Sequence, residues 1–160
     1  MQVYLRNKSP VLSRKEAKFS TKFMSSLIMS RQLMENLSIY IEFTGNCIDS
    51  ETGNQIQGDC IWMDDNAYPR EFKIRLNSTT RKKKQLLALA HELVHVKQYA
   101  SNEMKDVVRG PTNTKWKKEF IREEKMDYFD LPWEIEAYGR ENGMYIRYLE
   151  HVKREKLRFE

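Results

Sequence analysis

The fold turns on one stretch, Leu86-Leu87-Ala88-Leu89-Ala90-His91-Glu92-Leu93-Val94-His95-Val96-Lys97-Gln98-Tyr99. It contains no glycine or proline, and its apolar residues surround the two histidines, so it reads as a largely buried helix from about Arg81 to Tyr99. His91 and His95 are four residues apart, only about 40° around a helix axis, so both imidazoles can reach one ion. Glu92 lies about 100° further round, beside such an ion rather than on it. A carboxylate there can take a proton from a zinc-activated water and return it to a leaving amine. His91 and His95 are therefore the expected zinc ligands and Glu92 the expected general base. The chain has only three histidines, and two fall at this spacing around a glutamate.

The neighbouring segments suggest what packs against that helix. Ser13 and Glu16 have capping-box spacing, and Phe19, Phe23, Leu27, Met34 and Leu37 recur at helical steps. One helix from about Ser13 to Asn36 is expected. Ile39, Ile41 and Phe43 alternate with polar positions as in a half-buried strand. A hairpin follows, with strands over Asp59–Met63 and Phe72–Leu76 around the turn-forming Asp64–Pro69. Ser78, Thr79 and Thr80 are candidate caps of the histidine helix, whose basic first turn opposes the helix dipole. Residues from Ala100 to Asp130, interrupted by Gly110-Pro111, read as a covering loop with a short helix near Trp116 to Glu124. Trp116 and Trp133 are expected to anchor this region by packing. Asp130-Leu131-Pro132 marks a last helix, capped by Asp130, with Ile135, Tyr138, Tyr145, Ile146, Leu149 and Val152 as its apolar face. The order predicts a single α+β domain over residues 1–160, with a small, mainly antiparallel three-stranded sheet.

A catalytic zinc takes a third protein ligand and keeps a position open. No third histidine follows at a suitable spacing, so a carboxylate of the last helix is the better source. Glu134 and Glu136 lie about 200° apart on that helix, so only one can face the metal. Glu136 is preferred, because Gly139 and Gly143 share its face and would permit close approach, whereas Glu134 has an ordinary role in a helix first turn. Tyr138, Tyr145, Arg140 and His151 are candidate donors to an oxyanion.

Composition bounds the alternatives. Of 160 residues, 40% are hydrophobic and 32% charged, which suits a globular chain. Cys47 and Cys60 form no CxxC pair or disulfide framework, so reduced thiols and a cytoplasmic setting are expected, the host cell's if the chain is phage-encoded. No signal peptide or membrane-spanning run is visible. The net charge of +5 and the run Arg81-Lys82-Lys83-Lys84 allow nucleic acid as a partner, though no DNA-reading motif accompanies them.

Together, His91-Glu92-Leu93-Val94-His95-Val96-Lys97-Gln98-Tyr99, Trp116-Lys117-Lys118, Tyr128 and Pro132-Trp133-Glu134-Ile135-Glu136-Ala137-Tyr138-Gly139-Arg140-Glu141 resemble zinc metallopeptidases common in bacteriophage genomes. These are related in style to SprT-like and other minimal zincin domains, and the resemblance covers about Phe72 to Tyr145. It implies a backing helix, a short sheet, the HExxH helix and a further helix bringing a glutamate ligand. By that likeness the ligand is the glutamate directly before alanine, Glu136. The implied activity is peptide-bond hydrolysis; the order of elements, with the Glu71–Asn77 strand just before the histidine helix, suggests that strand as an edge for an extended peptide. The alternatives are a basic nucleic-acid-associated protein, including a protease of DNA-bound proteins, and an inactive zinc-binding relative.

Overall fold

A computed structural model describes residues 1–50, 52–107 and 113–159. The chain begins with strand β1 (Gln2–Arg6), followed by helices α1 (Arg14–Ser26) and α2 (Arg31–Glu35) and strand β2 (Ser38–Thr44). Ser13 caps α1 as its spacing predicts, accepting from the Glu16 amide. The expected single helix is broken, however. Ser30 is extended and its hydroxyl accepts from the Leu33 amide, so it starts a second helix rather than continuing the first. The hairpin forms as β3 (Gly58–Trp62) and β4 (Glu71–Asn77). Its turn is held by the Asp64 carboxylate, which accepts from the Arg70 and Glu71 amides.

The sheet has four strands in the order β1-β2-β4-β3, and it corrects the expected three-stranded antiparallel one. β1 pairs with β2, and β2 with β4, in parallel; β3 alone runs antiparallel. The helices between β1 and β2 return the chain to its starting side, which makes the parallel pairing possible. β1 escaped the sequence reading because five residues carry little periodicity. In β2 the alternation is as expected, with Ile39, Ile41 and Phe43 buried. β4 is paired on both sides, so it offers no free edge.

Helix α3 (Lys82–Ala100) packs against the sheet and α1, and against α4 (Pro132–Arg154). It is buried almost all round, from Leu86 through Val96 apart from Leu87. The expected caps do not act on it: Arg81 is the N-cap, without a side-chain bond. Thr79 and Thr80 instead bond to Asn77, while buried Gln85 donates to the Ser78 and Thr80 carbonyls. That bracing does for the helix entry what a cap would have done.

The segment expected to be a loop with a short helix contains a second, antiparallel sheet: β5 (Met104–Val107), β6 (Asn113–Trp116) and β7 (Glu119–Arg122). Lys117 takes a positive φ of 55° at the β6–β7 turn, which prevents a helix there. Gly110 and Pro111 lie outside the described residues. Trp116 and Trp133 pack with Met104 and Leu131, as expected of anchors. Asp130 ends a short 3-10 turn and leaves Leu131 as N-cap of α4, with Pro132 in the first turn.

The face of α4 is also corrected. Ile135, Tyr138, Ile146 and Leu149 are exposed, whereas Trp133, Glu134, Ala137, Met144 and Tyr148 are buried. The architecture is mixed α+β, and no helix among the described residues is long and apolar enough to cross a membrane.

Candidate metal centre

α3 presents His91 and His95 from successive turns, and their Nε2 atoms lie 3.2 Å apart. α4 brings the Glu134 carboxylate to both, with Oε2 3.3 Å from His91 Nε2 and Oε1 3.4 Å from His95 Nε2. All three residues are buried, and their ligand atoms lie within 4.8 Å of one another. Ligands 2.0–2.1 Å from a tetrahedral ion are themselves about 3.3 Å apart, so the observed spacing fits one. The group could hold a metal ion.

The structure therefore places Glu134 in this position, and not Glu136. Glu136 accepts from Lys97 at 3.1 Å, from Arg140 at 2.9 Å and from Gln98 at 3.0 Å. Neither ground read from the residues holds, and the glutamate before alanine, to which the resemblance pointed, is not the one beside the histidines. A Cβ added at Gly139 or Gly143 would meet nothing within 4 Å, so these glycines serve no close approach. Glu134, expected to have an ordinary role in a helix first turn, is buried there with Trp133 and Ala137.

Three further residues, none proposed from sequence, orient the group. His91 Nδ1 lies 3.0 Å from Glu141 Oε2 and donates to it, leaving Nε2 turned towards Glu134. His95 Nδ1 lies 2.9 Å from the side-chain Oε1 of Gln98. The Gln98 amide nitrogen donates to the Trp133 carbonyl and to Glu136, so its oxygen must accept from His95. Glu136 thus reaches the site through its bond with Gln98 and through its charge, which acts on His95. Tyr128 donates to Glu134 Oε2 at 2.7 Å. Glu141 lies seven residues after Glu134, two turns along the same helix face, and that spacing was the available signal.

The electrostatics favour a cation. Burial depresses the His95 pKa, so its imidazole is neutral with Nε2 available. Burial acts the same way on His91, but hydrogen bonds to Glu134 and Glu141 outweigh it and push the pKa up to about 10. Glu134 would be raised by burial, yet its bond to His91 and the charge near His95 hold it below the usual carboxylate range. Glu92 is pushed up to about 8 by burial, against the opposing pull of His91. Glu134 and Glu141 thus both contact the His91 ring, and their charges favour a cation at this position.

Glu92 lines a cleft of about 690 Å³ together with His91, Tyr138 and Glu141. The wall opposite α3 includes Ile56 and Gly58, and a Cβ at Gly58 would lie 3.4 Å from Glu92 Cγ. Of the candidate oxyanion donors, only Tyr138 stands at the site, its ring 4.6 Å from that of His91. Arg140 pairs with Glu136, His151 stacks on Phe23, and Tyr145 lies beneath Lys83. Comparison of the chain with family models, curated proteins and solved structures finds no match.

Proposed function

We propose that the protein is a zinc-dependent peptidase of minimal zincin type. The observation that carries this reading is the buried group of His91, His95 and Glu134, with Glu92 next to His91 in the lining of the cleft. Two imidazoles and one carboxylate leave a tetrahedral ion one position open, which suits catalysis better than a structural role. When bound, such an ion supplies Lewis acidity towards a water and a substrate carbonyl. The residues of the chain do the rest. Glu92 accepts a proton at its carboxylate and delivers it to the departing amine, a role suited to a buried carboxyl whose pKa lies near neutrality. Glu141 and Gln98 fix the tautomers of His91 and His95, and Tyr138 stands where it can donate to a developing oxyanion. A cleft of 690 Å³ accommodates several residues of an extended peptide. Among the described residues β3 is paired on one side only, and this outer strand next to the cleft replaces β4 as the edge that can pair with it.

The test is Glu92→Gln, assayed on a quenched-fluorescent peptide library alongside metal analysis. The variant keeps its zinc and loses hydrolysis by at least about 100-fold. Full activity in the variant would defeat the mechanism, and wild type that takes up no metal would defeat the reading as a whole.

A further inference from the structure

A second cavity, of about 230 Å³, lies at the end of β3 away from Glu92. Its walls combine Trp62 of β3, Tyr99 of α3, Asp64 and Asp65 of the hairpin turn, and Asp106 of β5. The Trp62 and Tyr99 rings pack on each other, their centroids 4.8 Å apart at 48°, and give the cavity an aromatic wall. Tyr99 Oη donates to Asp106 at 3.4 Å, which links ring and carboxylate. Burial raises the Asp106 pKa, with the charge of Glu123 adding to it, so a neighbouring cation would stabilise the ionised carboxylate. Lys105 also lines the cavity, but three carboxylates against one ammonium leave it net negative. The nearby Arg70 guanidinium is held on the carbonyls of Pro69 and Ala100. Aromatic faces combined with carboxylates are the surroundings a guanidinium or ammonium group favours. The cavity is smaller than the roughly 300 Å³ at which sites for drug-sized ligands begin, so it suits a single side chain.

β3 connects this cavity to the metal centre. Gly58 lines the cleft and Trp62 lines the cavity, about 13 Å apart along an extended strand. Among the described residues, β3 is paired on one side only, by β4.

We propose that the Trp62–Tyr99–Asp106 cavity receives the arginine or lysine side chain of a peptide lying along β3, roughly four residues from the scissile bond. That the ligand is a peptide rests on the peptidase reading; that it is cationic does not. Calorimetric titration of the intact protein with Nα-acetyl-arginine methylamide, and with its neutral citrulline counterpart, tests the cationic claim without any cleavage. Arginine should bind at least about tenfold more tightly than citrulline, a difference of about 1.4 kcal/mol. Asp106→Asn and Trp62→Leu should each remove that preference. Equal binding of the two probes, no binding of either, or an arginine preference unchanged in both variants would overturn the proposal. Cleavage profiling then separates the two readings. A cleaved library with no basic preference at that distance rejects the cavity's role and leaves the peptidase standing. Arginine binding without cleavage of any peptide rejects the peptidase and keeps the cation site.

Discussion

At the scale of single residues, the centre separates groups that would touch a metal from groups that only aim them. Glu134→Ala should abolish zinc uptake, whereas Glu136→Ala should leave zinc stoichiometric, as measured by metal analysis of purified protein. Loss of zinc in the second variant alone would reverse the assignment. Glu141→Ala should weaken zinc affinity by roughly 10- to 100-fold, the usual effect of removing the partner that orients a ligating histidine. Glu141→Gln, whose oxygen can still accept from His91 Nδ1, should recover part of that loss in a competition titration with a chromogenic chelator. His91, Glu92 and His95 were legible in the sequence because one helical turn fixes their relative placement whatever surrounds them. The third ligand was not, because choosing between Glu134 and Glu136 depends on which side of α4 is buried. That side is disguised by Ile135, Ile146 and Leu149, apolar residues that remain exposed.

At the scale of elements, three helices meet at one buried carboxylate. Glu16 of α1 accepts from Lys82 of α3 at 2.7 Å and from Tyr148 of α4 at 2.9 Å. Tyr148→Phe should cost about 1–3 kcal/mol in a denaturant titration, because it removes a donor from a buried acceptor. No change in the unfolding midpoint would show that water replaces the hydroxyl. The same ion pair occupies one lysine of the Arg81–Lys84 run, which reduces its availability to nucleic acid. Along β3, Gly58 is constrained from two sides, since a Cβ there would lie 2.9 Å from the Arg75 carbonyl oxygen and 3.4 Å from Glu92 Cγ. Gly58→Ala should therefore destabilise the protein by about 1–3 kcal/mol and lower any hydrolytic rate as Glu92 is displaced. A normal rate at normal stability would mean that the strand yields. The hairpin and α3 could be read from the chain because their pairing and periodicity are local. The parallel pairing of β1 with β2 depends on contacts across the molecule, and short strands such as Gln2–Arg6 and the four-residue strands of the β5–β7 sheet leave little pattern to read.

For the molecule as a whole, the acid–base state of the centre makes stability depend on pH. Glu92 has a folded pKa of about 8, raised from 4.5, so its contribution is fully present below 4.5 and lost as pH rises through 8. His91, raised from 6.5 to about 10, contributes fully below 6.5 and loses that contribution as pH rises through 10. Both act in the same direction. His95, held below 6.5, acts in the opposite sense only at lower pH, so chelator-treated protein should melt at progressively lower temperature between pH 7 and pH 9, as followed by circular dichroism. Zinc should flatten the slope, because the ion takes over from the His91 proton and binds more tightly as competing protons leave. A flat profile after chelation would refute the charge balance described for the centre. His95 and Glu134 lie on separate helices with the whole second sheet between them. An ion joining them closes a loop of roughly 40 residues, a constraint on the unfolded chain worth about 4 kcal/mol if it persisted there as a disulfide does. Cys47 and Cys60 are both free thiols, so such an ion would be a cross-link that a chelator or acid can open and a reductant cannot.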